Sequence, residues 1–196
     1  MLVLASASPR RHELLRNAGI PFEVQPTDIP EISKPDEAPQ AFAERMAREK
    51  AVVVAQQRPR DHILGADTIV VVDHQILGKP RDSEDAARML RMISARTHQV
   101  TTAVCLLGPQ MTASRGTPRT AFEEVRSETT MVTMNELSEE DIRFYVESGE
   151  PMDKAGAYAI QGIASRWIPR IEGDYSNVVG LPVYLVYRIL REHGVL

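Results

Sequence analysis

The sequence predicts an α/β fold built on a mixed sheet, and three observations carry that prediction. From His62 to Asp73 the chain is mostly apolar and rich in β-branched residues, the pattern of a strand buried on both faces. Ahead of it, strand-like runs alternate with amphipathic helical stretches, as they do where helices cover a sheet. Behind it, His98 to Leu107 and Arg119 to Met134 are strand-like with only the loop Gly108 to Pro118 between them, so they read as a hairpin. Alternation combined with a central hairpin argues against a purely parallel sheet.

Each element has its own signal. Leu2 to Ala5 is a short strand, after which Ser8-Pro9 opens a helix: the serine is placed to cap free amides and proline fits the first helical position. Leu14, Leu15 and Ala18 give that helix its apolar face, and Gly19 ends it. Phe22 to Val24 forms a second strand, and Pro26 to Pro39, with four prolines, is a loop. From about Pro39 to Gln57, Phe42, Met46 and Val53 with Ala43, Ala47 and Val54 mark a long amphipathic helix. After the central run, Asp73-His74-Gln75 is a turn, and Asp82 or Ser83 caps a helix reaching about Ser94. Ser138, with Asp141 three residues on, opens a short helix that Gly149 closes. Trp167 to Ile171 reads as a strand, and Gly180-Leu181-Pro182 starts a closing helix with Val183, Val186, Ile189 and Leu190 on its apolar face.

Bulk properties narrow the function classes. A chain of 196 residues, 43% hydrophobic and 26% charged, suits one globular domain with a sizeable core. Its net charge of −4 argues against broad nucleic-acid binding, which needs a basic surface, but leaves room for a locally basic pocket. Cys105, the single cysteine, lies in the apolar run Ala103 to Leu107, which excludes an internal disulfide and reads as a small buried hydrophobe. No apolar stretch is long enough to span a membrane, and Met1-Leu2-Val3-Leu4-Ala5 lacks the basic and apolar regions of a signal peptide; a cytoplasmic protein is expected.

Asp67 stands out because it interrupts the central apolar run. An ionised carboxylate buried there costs roughly several kcal/mol unless a cation, metal or donor set compensates it. Cations are available elsewhere. Ser6-Ala7-Ser8-Pro9-Arg10-Arg11 lies at a strand-to-helix junction, where small residues admit a ligand close to the backbone and the helix start favours an anion. Two arginines in that first turn oppose the macrodipole, which makes sense beside phosphate oxygens that both can grip. Lys50 lies on the long helix, Glu31 in the proline-rich loop, and Lys79 between Gly78 and Pro80. Gly65 and Gly78 lack P-loop spacing, and no Ser or Thr follows Lys79. Lys154 lies among small residues, and His98 is the one histidine placed to matter, with a structural role expected. Arg10, Arg11, Lys50 and Lys79 with Glu31 and Asp67 form an inventory suited to a polyphosphate with a hard divalent metal, one carboxylate activating water.

The chain resembles the Maf family of nucleoside triphosphate pyrophosphatases over essentially its whole length. The resemblance rests on Leu4-Ala5-Ser6-Ala7-Ser8-Pro9-Arg10-Arg11, Glu49-Lys50-Ala51, Gly65-Ala66-Asp67-Thr68, Gly78-Lys79-Pro80, Asp153-Lys154-Ala155-Gly156-Ala157-Tyr158, Ile160-Gln161-Gly162 and Val178-Val179-Gly180-Leu181-Pro182, in that order. It implies an elongated mixed sheet flanked by helices with a central cleft, similar to inosine triphosphate pyrophosphatases, in one Maf-like domain of residues 1–196 with two lobes. It also implies hydrolysis between the α- and β-phosphates, assisted by a divalent cation, Mg²⁺ or Mn²⁺.

Carried over residue by residue, the resemblance makes Asp67 the catalytic acid–base residue and Arg10, Thr68 and Gln161 the residues that separate subgroups by substrate. This combination looks like the subgroup acting on dTTP and UTP. A sister subgroup acting on 7-methyl-GTP has Ser-Asp-Gln in place of Ala-Asp-Thr and a Glu near the Gln position, and this chain has neither. Ser8, Arg10, Arg11, Lys50 and Lys79 are then expected to hold phosphates, and Glu31 and Asp67 the metal. Homodimerisation is a family-level expectation. A pyrophosphatase for purine or modified nucleotides, and a nucleotide-binding regulator of cell division, remain the alternatives. One departure is visible: the family's Leu-Ser-Gly before the central-strand histidine is Ile93-Ser94-Ala95 here.

Overall fold

The computed structural model describes residues 1–112 and 118–196. In chain order the elements are β1 (Leu2–Leu4), α1 (Pro9–Asn17), β2 (Glu23–Val24), α2 (Pro39–Gln57), β3 (His62–Val72), β4 (Gln75–Leu77), α3 (Ser83–Ile93), β5 (Thr97–Leu107), β6 (Gln110–Thr112), β7 (Pro118–Thr120), β8 (Glu123–Thr133), α4 (Glu139–Glu147), β9 (Arg170–Glu172), α5 (Tyr175–Val179) and α6 (Val183–Glu192). Three short 3₁₀ turns, Glu150–Asp153, Ala155–Ala157 and Ile163–Trp167, lie between α4 and β9.

The strands form a seven-stranded sheet ordered β2-β1-β3-β5-β8-β9, with β4 paired to β3, and β6 and β7 form a separate pair. β1 runs parallel to both β2 and β3, whereas β3–β4 and β8–β9 are antiparallel. The expected α/β class with a mixed sheet is therefore what the chain adopts.

By its contacts the chain divides into two units, Met1–Asp67 with Thr102–Glu128 and Gly180–Leu196, and Thr68–Thr101 with Thr129–Val179. In the first, Leu4, Leu15, Leu64, Leu106, Leu181 and Leu190 pack into one buried cluster. Each such side chain contributes about 1.5–3 kcal/mol by leaving water. Gly65 sets how closely α2 lies on β3: a Cβ there would sit 2.1 Å from the Ala47 carbonyl oxygen and 2.9 Å from the Ala51 nitrogen. Only glycine permits that approach. In the second unit, Met89, Leu90 and Ile93 of α3 pack with Val70, Tyr145 and Trp167.

Three local expectations need correction, and one element was not expected. Ser8 stands at the N-cap position of α1 but its side chain makes no capping bond; its N–H instead donates to Ser6 Oγ at 3.2 Å. The segment Gly108 to Pro118 was expected as a loop, yet Gln110–Thr112 and Pro118–Thr120 pair as β6 and β7; residues 113–117 lie outside the described residues. Trp167 closes a 3₁₀ turn, with the Ile168 N–H donating to the Ser165 carbonyl, so the strand begins later, at Arg170. Finally α5 was not anticipated. Its signal was Asp174, whose carboxylate accepts from the Ser176 N–H at 2.7 Å and its hydroxyl at 2.6 Å, an N-terminal helix signature.

Candidate active site

The first unit builds a charged cluster where β1 ends beside the middle of β3. Leu4 pairs with Leu64, and the Ala5 N–H donates to the Leu64 carbonyl at 2.8 Å, so the loop Ser6–Ser8 runs beside Gly65–Asp67. Asp67 is only 4% exposed, as expected for a residue in a doubly buried strand.

Its compensation comes from α2. Lys50 Nζ donates to Asp67 Oδ1 at 2.6 Å and to Glu31 Oε1 at 2.7 Å. The lysine is buried, while the Glu31 side chain is 40% exposed, so one ammonium joins a buried carboxylate to one at the surface. The close approach at Gly65 makes this reach possible, because it brings the Ala47–Ala51 turn of α2 against the strand that carries Asp67.

Arg11 braces the other side. Its Nε donates to the Gly180 carbonyl at 2.7 Å, and its Nη1 to Ser6 Oγ at 3.2 Å and to the Ala66 carbonyl at 3.0 Å. His12 Nε2 donates to the Ser6 carbonyl at 2.8 Å. Buried Ser6 thus ties the β1–α1 loop together, a role the sequence reading gave only to its small size.

Burial pushes the Asp67 carboxyl above its ordinary value of 3.8; the charge and hydrogen bond of Lys50, and the charge of Arg11, pull it back, and Glu31 adds to the rise. Burial lowers the Arg11 guanidinium, and Asp67 opposes that shift. A carboxyl raised by burial and held beside two cations is the arrangement of a group set up to exchange a proton.

The predicted residues therefore separate into two sets. Ser8, Arg10, Arg11, Glu31, Lys50 and Asp67 belong to the first unit, and it brings Lys50, Glu31 and Asp67 into direct contact with Arg11 alongside. Arg10 is half-buried in the first turn of α1. Thr68, Lys79 and Gln161 belong to the second unit. Thr68 is half-buried in β3, Lys79 exposed after β4, and Gln161 exposed in a turn closed by the Gly162 N–H donating to the Ala159 carbonyl at 3.1 Å. Gln161 also lines a hollow of about 460 Å³ with Ile160, Ser165, Ile168, Arg170 and Tyr175.

The remaining candidates take structural places. Lys154 Nζ donates to the Glu150 carbonyl at 2.7 Å and pairs with Asp153. His98 is buried against Tyr158, Nε2 to hydroxyl 2.8 Å, and among the described residues its Nδ1 has no hydrogen-bond partner. Cys105 is fully buried, and burial raises its thiol to about 12, unsuited to nucleophilic work.

Glu31 and Asp67 each bring one carboxylate oxygen to the Lys50 ammonium, so these hard donors are already paired with a cation. Among the described residues no group of three or more His, Cys, Asp or Glu side chains could hold a metal. Two carboxylates suit Mg²⁺ or Mn²⁺ that completes its shell with water and substrate phosphates.

A family model described as Maf-like protein matches residues 1–193. The chain belongs to the Maf-like family. This Maf-like chain is 55% identical over 195 residues to a dTTP/UTP pyrophosphatase of Koribacter versatilis, covering 100% of the chain and 95% of the relative. It is 48% identical over 191 residues to a dTTP/UTP pyrophosphatase of Syntrophomonas wolfei, covering 97% and 96%. A solved nucleoside-triphosphatase / dITP/XTP pyrophosphatase from Mycobacterium abscessus shares 19% identity, with 69% of this chain and 75% of that one covered and a TM-score of 0.40, too slight a likeness to transfer a site.

Proposed function

We propose that this Maf-like chain is a nucleoside triphosphate pyrophosphatase that hydrolyses the α–β bond of dTTP and UTP. The observation that carries the reading is the buried Asp67 carboxylate held 2.6 Å from Lys50 in the middle of β3, in a chain whose relatives bear that activity by name. Asp67 takes a proton from a water, the water oxygen bonds to the α-phosphorus, and the α–β bridging oxygen leaves with pyrophosphate. Lys50, Arg10, Arg11 and Lys79 neutralise phosphate oxygens, and the N–H-rich start of α1 with Ser8 adds a favourable field. Glu31 and Asp67 would hold the divalent cation, which when bound supplies charge neutralisation at the phosphates. Gln161 offers one donor and one acceptor to the edge of a thymine or uracil ring, and Thr68 and Arg10 complete the choice of base.

The test is Asp67→Asn, which keeps the shape and removes the base. Turnover of dTTP and UTP should fall by about 10²–10⁴-fold. Pyrophosphate release from a panel of dTTP, UTP, dCTP, dGTP and 7-methyl-GTP should favour the first two. Near-normal turnover by the variant would sink the role of Asp67, and a preference for a purine triphosphate would sink the substrate.

A further inference from the structure

The turn that presents Gln161 is tied down at both ends by one pair of side chains from elsewhere in the second unit. The Ala159 N–H donates to the Tyr145 hydroxyl at 3.0 Å. That hydroxyl donates to Glu150 Oε1 at 2.7 Å. The Ile163 N–H donates to both oxygens of the same carboxylate, at 3.1 and 3.2 Å. The path Ala159, Tyr145, Glu150, Ile163 therefore closes a loop around Ile160, Gln161 and Gly162.

Its anchors are themselves fixed. Tyr145 is fully buried on α4 and meets Trp167 edge-on with ring centroids 5.5 Å apart. Ser148 Oγ donates to the Tyr145 carbonyl and accepts from the Glu150 N–H, which fixes the backbone between the two. Gly162 makes room for the carboxylate: a Cβ there would lie 2.3 Å from Glu150 Oε1 and 2.5 Å from Oε2. An acid is thus seated against the turn, leaving Gln161 exposed between two tethered amides. Such restraint decides how finely an amide can discriminate a ligand edge, because a site loose by an ångström loses its hydrogen bonds.

We propose that Tyr145 and Glu150 are positioning residues for base selection, acting through the backbone of the Gln161 turn, with Gly162 required by the same contact. The proposal rests on the reading of Gln161 as the base-contacting residue. Three variants perturb the strap differently. Tyr145→Phe removes one hydroxyl and keeps the ring against Trp167; Glu150→Gln keeps the shape and removes the charge; Gly162→Ala deletes nothing and pushes the carboxylate away.

The experiment measures kcat and KM for dTTP and dCTP in these variants and in Gln161→Ala, with thermal unfolding recorded for each. The strap variants should raise KM for dTTP about tenfold, as expected when a buried hydrogen bond is lost, with a smaller change in kcat and a reduced dTTP:dCTP preference. Gln161→Ala should reduce the same preference. If Gln161→Ala lowers the preference while every folded strap variant keeps it, the strap is only structural and the proposal is overturned. Unchanged preference in all four variants would overturn the role of Gln161 itself, and the proposal with it. Should Tyr145→Phe fail to fold, Glu150→Gln and Gly162→Ala decide the matter by the same ratio.

Discussion

At Asp67 the physics is a contest between burial and two cations. Desolvation favours the neutral acid, while the Lys50 ammonium at 2.6 Å and the Arg11 charge favour the carboxylate. A proton acceptor must be ionised, so turnover should fall as pH drops through the raised Asp67 value, placing the acid limb of the rate profile above the ordinary 3.8. Lys50→Met keeps the length of the side chain and removes the group that pulls Asp67 down. Its acid limb should therefore move to higher pH in a profile of kcat/KM against pH. An unchanged limb would mean that Lys50 does not set the Asp67 proton. The importance of Asp67 was legible in the sequence, because a carboxylate in a β-branched apolar run needs a reason. That its partner would be Lys50, 17 positions away on a different element, was not; only the contact at Gly65 brings them together.

Elements were legible where a local signal and the tertiary demand agreed. The capping box at Ser138 and Asp141 formed, and Asp82 accepts from the Asp85 N–H at 2.8 Å at the start of α3. Disagreement arose where short elements depend on what they pair with, as at β6, β7 and β9, whose three residues each are too few to show a strand period. The turn from α3 to β5 shows a sequence departure with a cost. Ala95 adopts φ 54°, a left-handed conformation that its Cβ resists, and its N–H donates to the Asn135 carbonyl at 3.2 Å. Ala95→Gly should stabilise the protein by about 0.5–1 kcal/mol, the relief of strain exceeding the added freedom of the unfolded chain. Urea unfolding at equilibrium measures this, and a destabilised variant would show the strain to be negligible.

For the whole molecule, the acid response of stability depends on a histidine the chemistry does not use. His98 is buried in the second unit, and burial depresses it from 6.5 to about 4. A base depressed on folding takes up its proton more readily when unfolded, so its contribution is present above pH 6.5 and lost as pH falls toward 4. The loss amounts to about 3 kcal/mol across that window. Asp67, raised by burial, works in the opposite sense: its contribution is present below the unfolded value and lost as pH rises through the folded one. His98→Gln should flatten the fall in unfolding free energy between pH 6.5 and 4, measured by urea titration at each pH; an equally steep fall would assign it to other groups. What the sequence by itself determined was the α/β class, the long helices and central strand, and the oddity of a carboxylate in an apolar strand, because periodicity, caps and buried charges are local or compositional signals. Tertiary structure alone decided that Lys50 bridges Asp67 and Glu31, that Arg11 donates to the Gly180 and Ala66 carbonyls and the Ser6 hydroxyl, and that Tyr145 and Glu150 hold the Gln161 turn. Those facts depend on distances between segments remote in the chain, and such distances are set by packing rather than by any neighbouring residue.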